Sequence, residues 1–466
     1  MFAKLEDIRK SSLFGWIASL AIALAITFCF YDPATPKADL YWFGTIMGIC
    51  MFAFEVIPTF ATAILLLMFY IVTGVAGPGM AFVGWTKPIP WMCMCGMLIG
   101  ILMDKCNIST RIALLTISRI GKTPIRLYIS FYLAGMVLGA IIPDTLTVVI
   151  IFMTIASTIC KKLQLPPVSR ASSTIILGAF IGAQVACATY LPDNVGIIAM
   201  EMVKEIGITT SWLQYFWENL PFSVMHALVA FTILHFFGSK YLAEHINNAR
   251  VYAEEELKAL GPVSNAEYRT LGLAVMALIA FMTEPFHGIP GYYAFCSVVL
   301  LGFTPCVGLL TKDDLRKIDF PILFFIAACM AIGIIGMELD IPSKVVAGIM
   351  PIMQSVENSS IIAIASYYFG FVVNMLLTPV AAATTLSLPI AEIATNLGEP
   401  VKPVLYSFLY GLNQFVLPYE LGQALVMFAT GYVHIKHIII VMGLRTIFVM
   451  FAIGIMSTFV WPLMGI

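Results

Sequence analysis

Three carboxylates interrupt long apolar runs, in Pro143-Asp144, Pro192-Asp193 and Pro418-Tyr419-Glu420. An acid in hydrocarbon surroundings is costly and by default marks an ion or proton site. Such a carboxyl resists ionisation, so its proton affinity rises. Backbone carbonyls at a helix break plus one carboxylate can also ligate sodium. Asp144, Asp193 and Glu420 are therefore the ion-coupling candidates, and Asp144 is the candidate Na+ ligand. The residue types do not choose between Na+ and a proton. For Asp193 a plain helix cap is the alternative.

Neutral polar side chains flank these acids. Thr145, Thr147, Asn194, Thr378, Thr384, Asn413, Gln414 and Gln423 form the candidate substrate-binding set, with Pro192, Pro379 and Pro418 at the breaks. Each threonine or amide can donate to an anion. Each can equally make an interhelical hydrogen bond. No lysine or arginine lies at any of these breaks in the sequence. Anion binding is then expected to rest on backbone N–H groups at helix starts and on hydroxyls. His434 and His437 have a spacing that suits a metal, but beside Lys436 a solvent-facing role is the simpler reading. No paired catalytic motif is present, so an enzyme is not expected.

The elements that hold these residues are apolar helices. The chain has 466 residues, of which 60% are hydrophobic and 11% charged, and its mean hydropathy is +0.95. A soluble domain carries about 25% charge, so this is an all-α polytopic membrane protein lying in a lipid bilayer. A net charge of −1 suggests no nucleic acid. The ten cysteines lie in apolar segments and read as small core residues.

Expected spans are 13–31, 40–54, 57–76 and 89–103, then an amphipathic piece at 105–123. A hairpin at 125–160 and a broken span at 171–200 follow, then a span at 220–238. The polar stretch 239–268 reads as a cytoplasmic helical linker between two halves. The second half repeats the order: spans 270–287, 291–309 and 320–338, an amphipathic piece at 341–358, a hairpin at 361–397, a broken span at 404–433 and a last span at 438–461. Proline at a tip cannot continue a helix. Broken backbone at membrane depth is tolerated only where protein covers it or where it lines a cavity. Both hairpins therefore read as re-entrant, and the halves as inverted-topology repeats. This topology puts nineteen of the 25 lysines and arginines on the cytoplasmic side. The N-terminus is then cytoplasmic and the C-terminus outside.

With this order in place, the chain resembles the divalent anion/sodium symporters of the ion-transporter superfamily, as a divergent member. Phe54-Glu55-Val56-Ile57-Pro58 with Ala61-Thr62-Ala63 is similar to the family's segment ahead of its third span. Leu98–Ile108 with Arg111-Ile112-Ala113-Leu114 is similar to its fourth span and interfacial helix. Asp313–Gly333, Ser387-Leu388-Pro389-Ile390-Ala391 and Gly431-Tyr432 match later landmarks. The family marks its tips with Ser-Asn-Thr and its broken spans with Thr-Pro-Pro. Here the first tip keeps only Thr145, with Thr147 behind it. The second, Pro379-Val380-Ala381, keeps none of the three. Gly422-Gln423 stands where two prolines are expected.

The resemblance implies a homodimeric secondary transporter of the plasma (inner) membrane, moving a small organic anion by an elevator mechanism coupled to Na+ and/or H+. The scaffold would comprise 1–88, 201–238, 269–319 and 434–466. The transport part would comprise 89–200 and 320–433. The expected cofactor is none beyond Na+ as coupling ion. At most one sodium site is expected, near Asp144, with Glu420 carrying a proton. The alternative is an ion channel, or a cation or inorganic-ion exchanger of the same superfamily.

Overall fold

The computed structural model describes residues 12–54, 56–142, 145–191, 194–204, 206–243, 245–341, 344, 359–375, 377–417 and 421–466. All regular structure among them is helical. Helices of eight residues or more are α1 (Ser12–Cys29), α2 (Pro36–Ala53), α3 (Thr59–Val72), α4 (Pro88–Lys105), α5 (Ile108–Ile120), α6 (Pro124–Ile141), α7 (Thr145–Lys162), α8 (Arg170–Cys187), α9 (Asn194–Lys204) and α10 (Trp212–Leu242). Then follow α11 (Ile246–Ala259), α12 (Asn265–Met282), α13 (Gly291–Leu300), α14 (Phe320–Glu338), α15 (Ser359–Asn374), α16 (Pro379–Asn396), α17 (Val401–Leu412), α18 (Gly422–Ala429) and α19 (Ile435–Ile455).

Local chemistry sets the starts. Pro36, Pro88, Pro124 and Pro379 stand in first turns, where a missing N–H costs nothing. Ser169 and Ser211 cap α8 and α10, and Ser264 with Glu267 forms a capping box on α12. Four helix pairs fall where the sequence places hairpins and broken spans: α6–α7, α8–α9, α15–α16 and α17–α18. The polar stretch after the first half contains α11, although α10 and α12 each extend into it. The amphipathic piece expected at 341–358 lies almost wholly outside the described residues. α4 and α5 meet at 64°, on either side of Asn107 with its left-handed φ of 56°.

Packing follows one pattern twice. α6 crosses α8, and α15 crosses α17. Glycines permit both approaches. A methyl on Gly182 would lie 2.8 Å from the Phe131 Cβ, and one on Gly135 would lie 2.7 Å from the Gly182 carbonyl. In the second crossing, a methyl on Gly411 would fall on the Tyr367 carbonyl, with Gly370 alongside. The second helix of each hairpin then packs on the second helix of the other half's broken span: α7 on α18, and α16 on α9.

Side-chain bonds tie the helices into two sets. α10 is tied to α6 and α8 through Tyr128–Ser239, Tyr132–Ser223 and the Ser223 hydroxyl on the Val185 carbonyl. It is tied to α17 by Glu218 and Asn219. α19 joins α15, where Tyr367 donates to the Thr446 carbonyl at 2.8 Å, and α8, through His437 and Ser173. A second set joins α4 and α5 to the segment before α14. Lys105 meets Asp314 at 2.8 Å and Arg111 meets Glu267 at 2.6 Å. α2 joins α14, where Tyr41 donates to the Ile332 carbonyl. Burial pushes the Asp314 carboxyl up. Hydrogen bonds from Lys105, Thr311 and Lys317 outweigh that and hold it below the usual carboxylate range.

Three predictions rest on these surroundings. Gly182→Ala and Gly411→Ala overpack the crossings and lower unfolding stability in detergent by about 1–3 kcal/mol each. Gly272→Ala faces open space on the exposed side of α12, so it is expected to raise stability by about 0.5–1 kcal/mol. Asp314 gains its stabilisation by being ionised, so that gain is complete above its unfolded value of 3.8 and fades as pH falls toward its lower folded value. Asp314→Asn therefore lowers the melting temperature at pH 7, and the gap to wild type closes below the ordinary carboxylate range. Thermal scans across pH check it.

Candidate functional site

The helix pairs bring most of the candidate residues to their broken ends. Thr145 is buried at the start of α7, and Thr147 lies two residues further on. Gly100 of α4 lets Thr147 approach; a methyl there would meet the Thr147 Cγ2 at 3.0 Å. The second half has a matching contact, where a methyl on Gly333 of α14 would lie 2.8 Å from the Thr384 carbonyl. Both hairpins thus press a candidate threonine onto a glycine of a helix outside the hairpin. Asn194 opens α9, which packs on α16. Gln423 lies in the first turn of α18, which packs on α7. Asp144, Pro192, Asp193, Pro418 and Glu420 lie outside the described residues.

Local roles account for two candidates. Thr378 is exposed and caps α16, accepting from the Ala381 N–H at 3.4 Å, with Pro379 following at the first helical position. Thr384 is buried, and its hydroxyl donates to the Val380 carbonyl one turn back at 2.7 Å. His434 accepts from the Lys436 N–H and His437 pairs with Ser173, so both histidines have local partners. No cluster of three metal-ligating side chains occurs among the described residues.

Asn413 and Gln414 end α17 and lead into non-helical backbone. Their surroundings were not legible in the sequence. Gln184, one turn before the break in α8, donates to the Asn413 carbonyl at 3.2 Å. Asn374, the last residue of α15, donates to the Gln414 carbonyl at 2.7 Å. Gln414 itself donates back to the Tyr410 carbonyl. The first broken span, the second broken span and the second hairpin therefore meet here.

The structure corrects the expectation that no basic residue serves a break. Arg445 of α19 is wholly buried and donates through Nη1 to the Gln184 Oε1 at 2.9 Å. Its guanidinium lies 5.4 Å from the centre of the Phe415 ring, beside Gln414. Sequence spacing gives no way to see that residue 445 reaches residues 184 and 415.

Glu218 was missed for another reason. The span was expected to begin at 220, yet α10 begins at Trp212. Glu218 is thereby an acid inside an apolar helix, which the rule used for Asp144 would have singled out. It pairs with Lys402 at 3.0 Å and accepts from Tyr406 at 2.5 Å and from Gln214 at 2.8 Å. Tyr410 donates to the neighbouring Asn219. A small apolar cavity of about 10 Å³ lies between Met92, Ala140, Trp212 and Phe295, with Ile141 in its wall.

Apolar helices arranged in pairs, with α7 packed on α18 and α16 on α9 across the two halves, define a polytopic membrane transporter. The chain belongs to the family described as the sodium:sulfate symporter transmembrane region, which matches residues 10–466. It is an integral membrane anion transporter and not an enzyme. It is 23% identical over 381 residues to the L-tartrate/succinate antiporter of Shigella boydii, covering 76% of this chain and 74% of that one. It is 22% identical over 378 residues to the L-tartrate/succinate antiporter of Escherichia coli K12, covering 75% and 73%. The crystal structure of the YdaH transporter of Alcanivorax borkumensis superposes with a TM-score of 0.53 at 13% identity, covering 86% of this chain and 89% of that one. At that identity the likeness speaks for the fold.

The Glu218 network yields a double-mutant prediction. Lys402→Met strands a buried carboxylate and costs about 3–5 kcal/mol. Adding Glu218→Gln removes the charge, and most of that loss is expected to return. Unfolding midpoints of the two single variants and the double variant measure the coupling.

Proposed function

We propose that this chain is a secondary active transporter of a small dicarboxylate or related oxyanion. The observation that carries this reading is family membership across the chain, together with curated relatives that are L-tartrate/succinate antiporters. The breaks add a physical reason. The helix starts at Asn194 and Gly422 present first-turn N–H groups, which suit an anion. Exchange of one carboxylate for another is the favoured mode, given the relatives' names.

Transport proceeds by an elevator motion within a homodimer of the inner membrane, with the N-terminus cytoplasmic and the C-terminus outside. The two halves are inverted repeats, which the twice-repeated packing pattern supports. The division into bodies is drawn from the buried bonds. The moving body comprises both hairpins, both broken spans, α10 and α19, because separating these would break several buried hydrogen bonds at once. The fixed body comprises α1 to α5 and α12 to α14, tied by Lys105–Asp314, Arg111–Glu267 and Tyr41. This regroups α4, α5, α10, α14 and α19 relative to the division drawn from sequence. Sodium, if used, binds near Asp144, and Glu420 carries a proton. Asp144→Asn then weakens sodium dependence, while Glu420→Gln flattens the pH profile of uptake.

Proteoliposome uptake tests the reading. Labelled succinate should enter vesicles preloaded with succinate or L-tartrate, and entry should saturate. Uptake of cations alone, or non-saturating flux, would contradict it. Disulfides test the motion in a cysteine-free background. The Gly100→Cys/Ile142→Cys pair joins the two bodies and should abolish uptake until reduced. The Lys105→Cys/Asp314→Cys pair lies within the fixed body and should leave uptake intact. The reverse pattern would refute the proposed division.

A further inference from the structure

Arg445 is a cation in apolar surroundings with no counter-ion among the described residues. It is wholly buried in the last long helix, and no carboxylate lies within 4 Å of it among the described residues. One guanidinium nitrogen binds Gln184. The other two, Nε and Nη2, have no hydrogen-bond partner among the described residues. Those nitrogens form one edge of the planar fork that receives a carboxylate in two parallel bonds. An unpaired charge at such depth carries a penalty of several kcal/mol. In a membrane helix such a residue is retained for a partner.

The surroundings narrow what that partner is. Arg445 stands where Gln184 of the first broken span, Asn374 of the second hairpin and Gln414-Phe415 of the second broken span meet. The Asn374 Oδ1 and the Gln414 Oε1 are also buried without partners. Residues 413–417 are non-helical, and Asn413, Val416 and Leu417 are half-buried while Gln414 and Phe415 are buried. Phe415 closes one side, with Phe180 edge-on against it at 5.4 Å. The free donors call for an anion. The two amide oxygens repel a bare halide and suit a ligand that also donates, such as a hydroxyl-bearing or protonated acid.

We propose that Arg445 is a substrate-binding residue, forming with Gln184, Asn374 and Gln414 a subsite for one carboxylate of the transported molecule. This deepens the carboxylate-transport reading and rests on it. The cation is built into the chain beside Phe415 of the second broken span. A tethered charge of this kind balances a carboxylate without a dissociating ion, as carboxylate exchange requires.

The test compares wild type, Arg445→Met and Arg445→Lys in detergent and in proteoliposomes. Replacing a buried charge with a well-packed apolar chain is tolerated or stabilising, so Arg445→Met should fold. Succinate and L-tartrate should raise the wild-type melting temperature. Arg445→Met should weaken that response about 30-fold or more. Arg445→Lys should recover part of it, because the charge stays and the fork is lost. Potassium chloride at matched ionic strength is the control. A chloride shift that likewise depends on Arg445 would identify a halide site and overturn the proposal.

If wild type neither binds nor exchanges these acids, the transport reading itself fails. If wild type responds and Arg445→Met responds equally, only this inference fails. Should Arg445→Met not fold, arginine-directed labelling of wild type with phenylglyoxal decides, read by peptide mass spectrometry. Succinate should protect Arg445. Equal labelling with and without succinate, or no labelling in either, contradicts the proposal.

Discussion

Backbone polar groups left unpaired in hydrocarbon cost several kcal/mol each, and that constraint shapes the whole chain. Two of its helices are interrupted, between α8 and α9 and between α17 and α18. Interrupted backbone needs protein around it. Each half supplies cover for the other: α7 packs against α18, and α16 against α9. The glycine crossings follow from the same need. Gly182 and Gly411 let hairpin and broken helix touch at backbone distance, which leaves little room for lipid at the interruptions.

Polar side chains inside this assembly have two uses. Glu218, Lys402, Tyr406 and Gln214 form a closed set in which each charge is answered. Such a set holds α10 to α17 and gives the two helices one arrangement. The set around Arg445 is not closed. A guanidinium edge and two amide oxygens end without partners among the described residues, although the same region is otherwise densely bonded. The contrast separates a group that holds structure together from one poised for a ligand.

Much of the architecture was legible before any coordinates. The apolar run lengths, with breaks at Pro143, Pro192, Thr378-Pro379 and Pro418, anticipated four helix pairs whose described ends lie within a few residues of the expected ones. Local signals such as Thr378-Pro379 marked a helix start correctly. What stayed hidden was contact between distant segments. The Asn413 carbonyl meets Gln184, and Arg445 meets the same glutamine, across more than two hundred residues. No periodicity encodes that. Glu218 and Lys402 were hidden by helix ends drawn too short, which moved both out of the apolar spans. The grouping of helices into bodies was likewise beyond chain order, because α10 and α19 follow the broken helices in sequence and also bond to them in space.

The account stands on two bodies that move against each other while each keeps its internal bonds. Pulsed electron resonance between spin labels in proteoliposomes reads this directly. Val137 on α6, Ile447 on α19 and Met276 on α12 all carry exposed side chains. The account predicts one narrow distance between labels at 137 and 447, unchanged by succinate. It predicts a distribution with two populations between labels at 137 and 276, whose weights shift when succinate is added. A fixed single distance for 137 to 276, with a succinate-dependent change for 137 to 447, would contradict it.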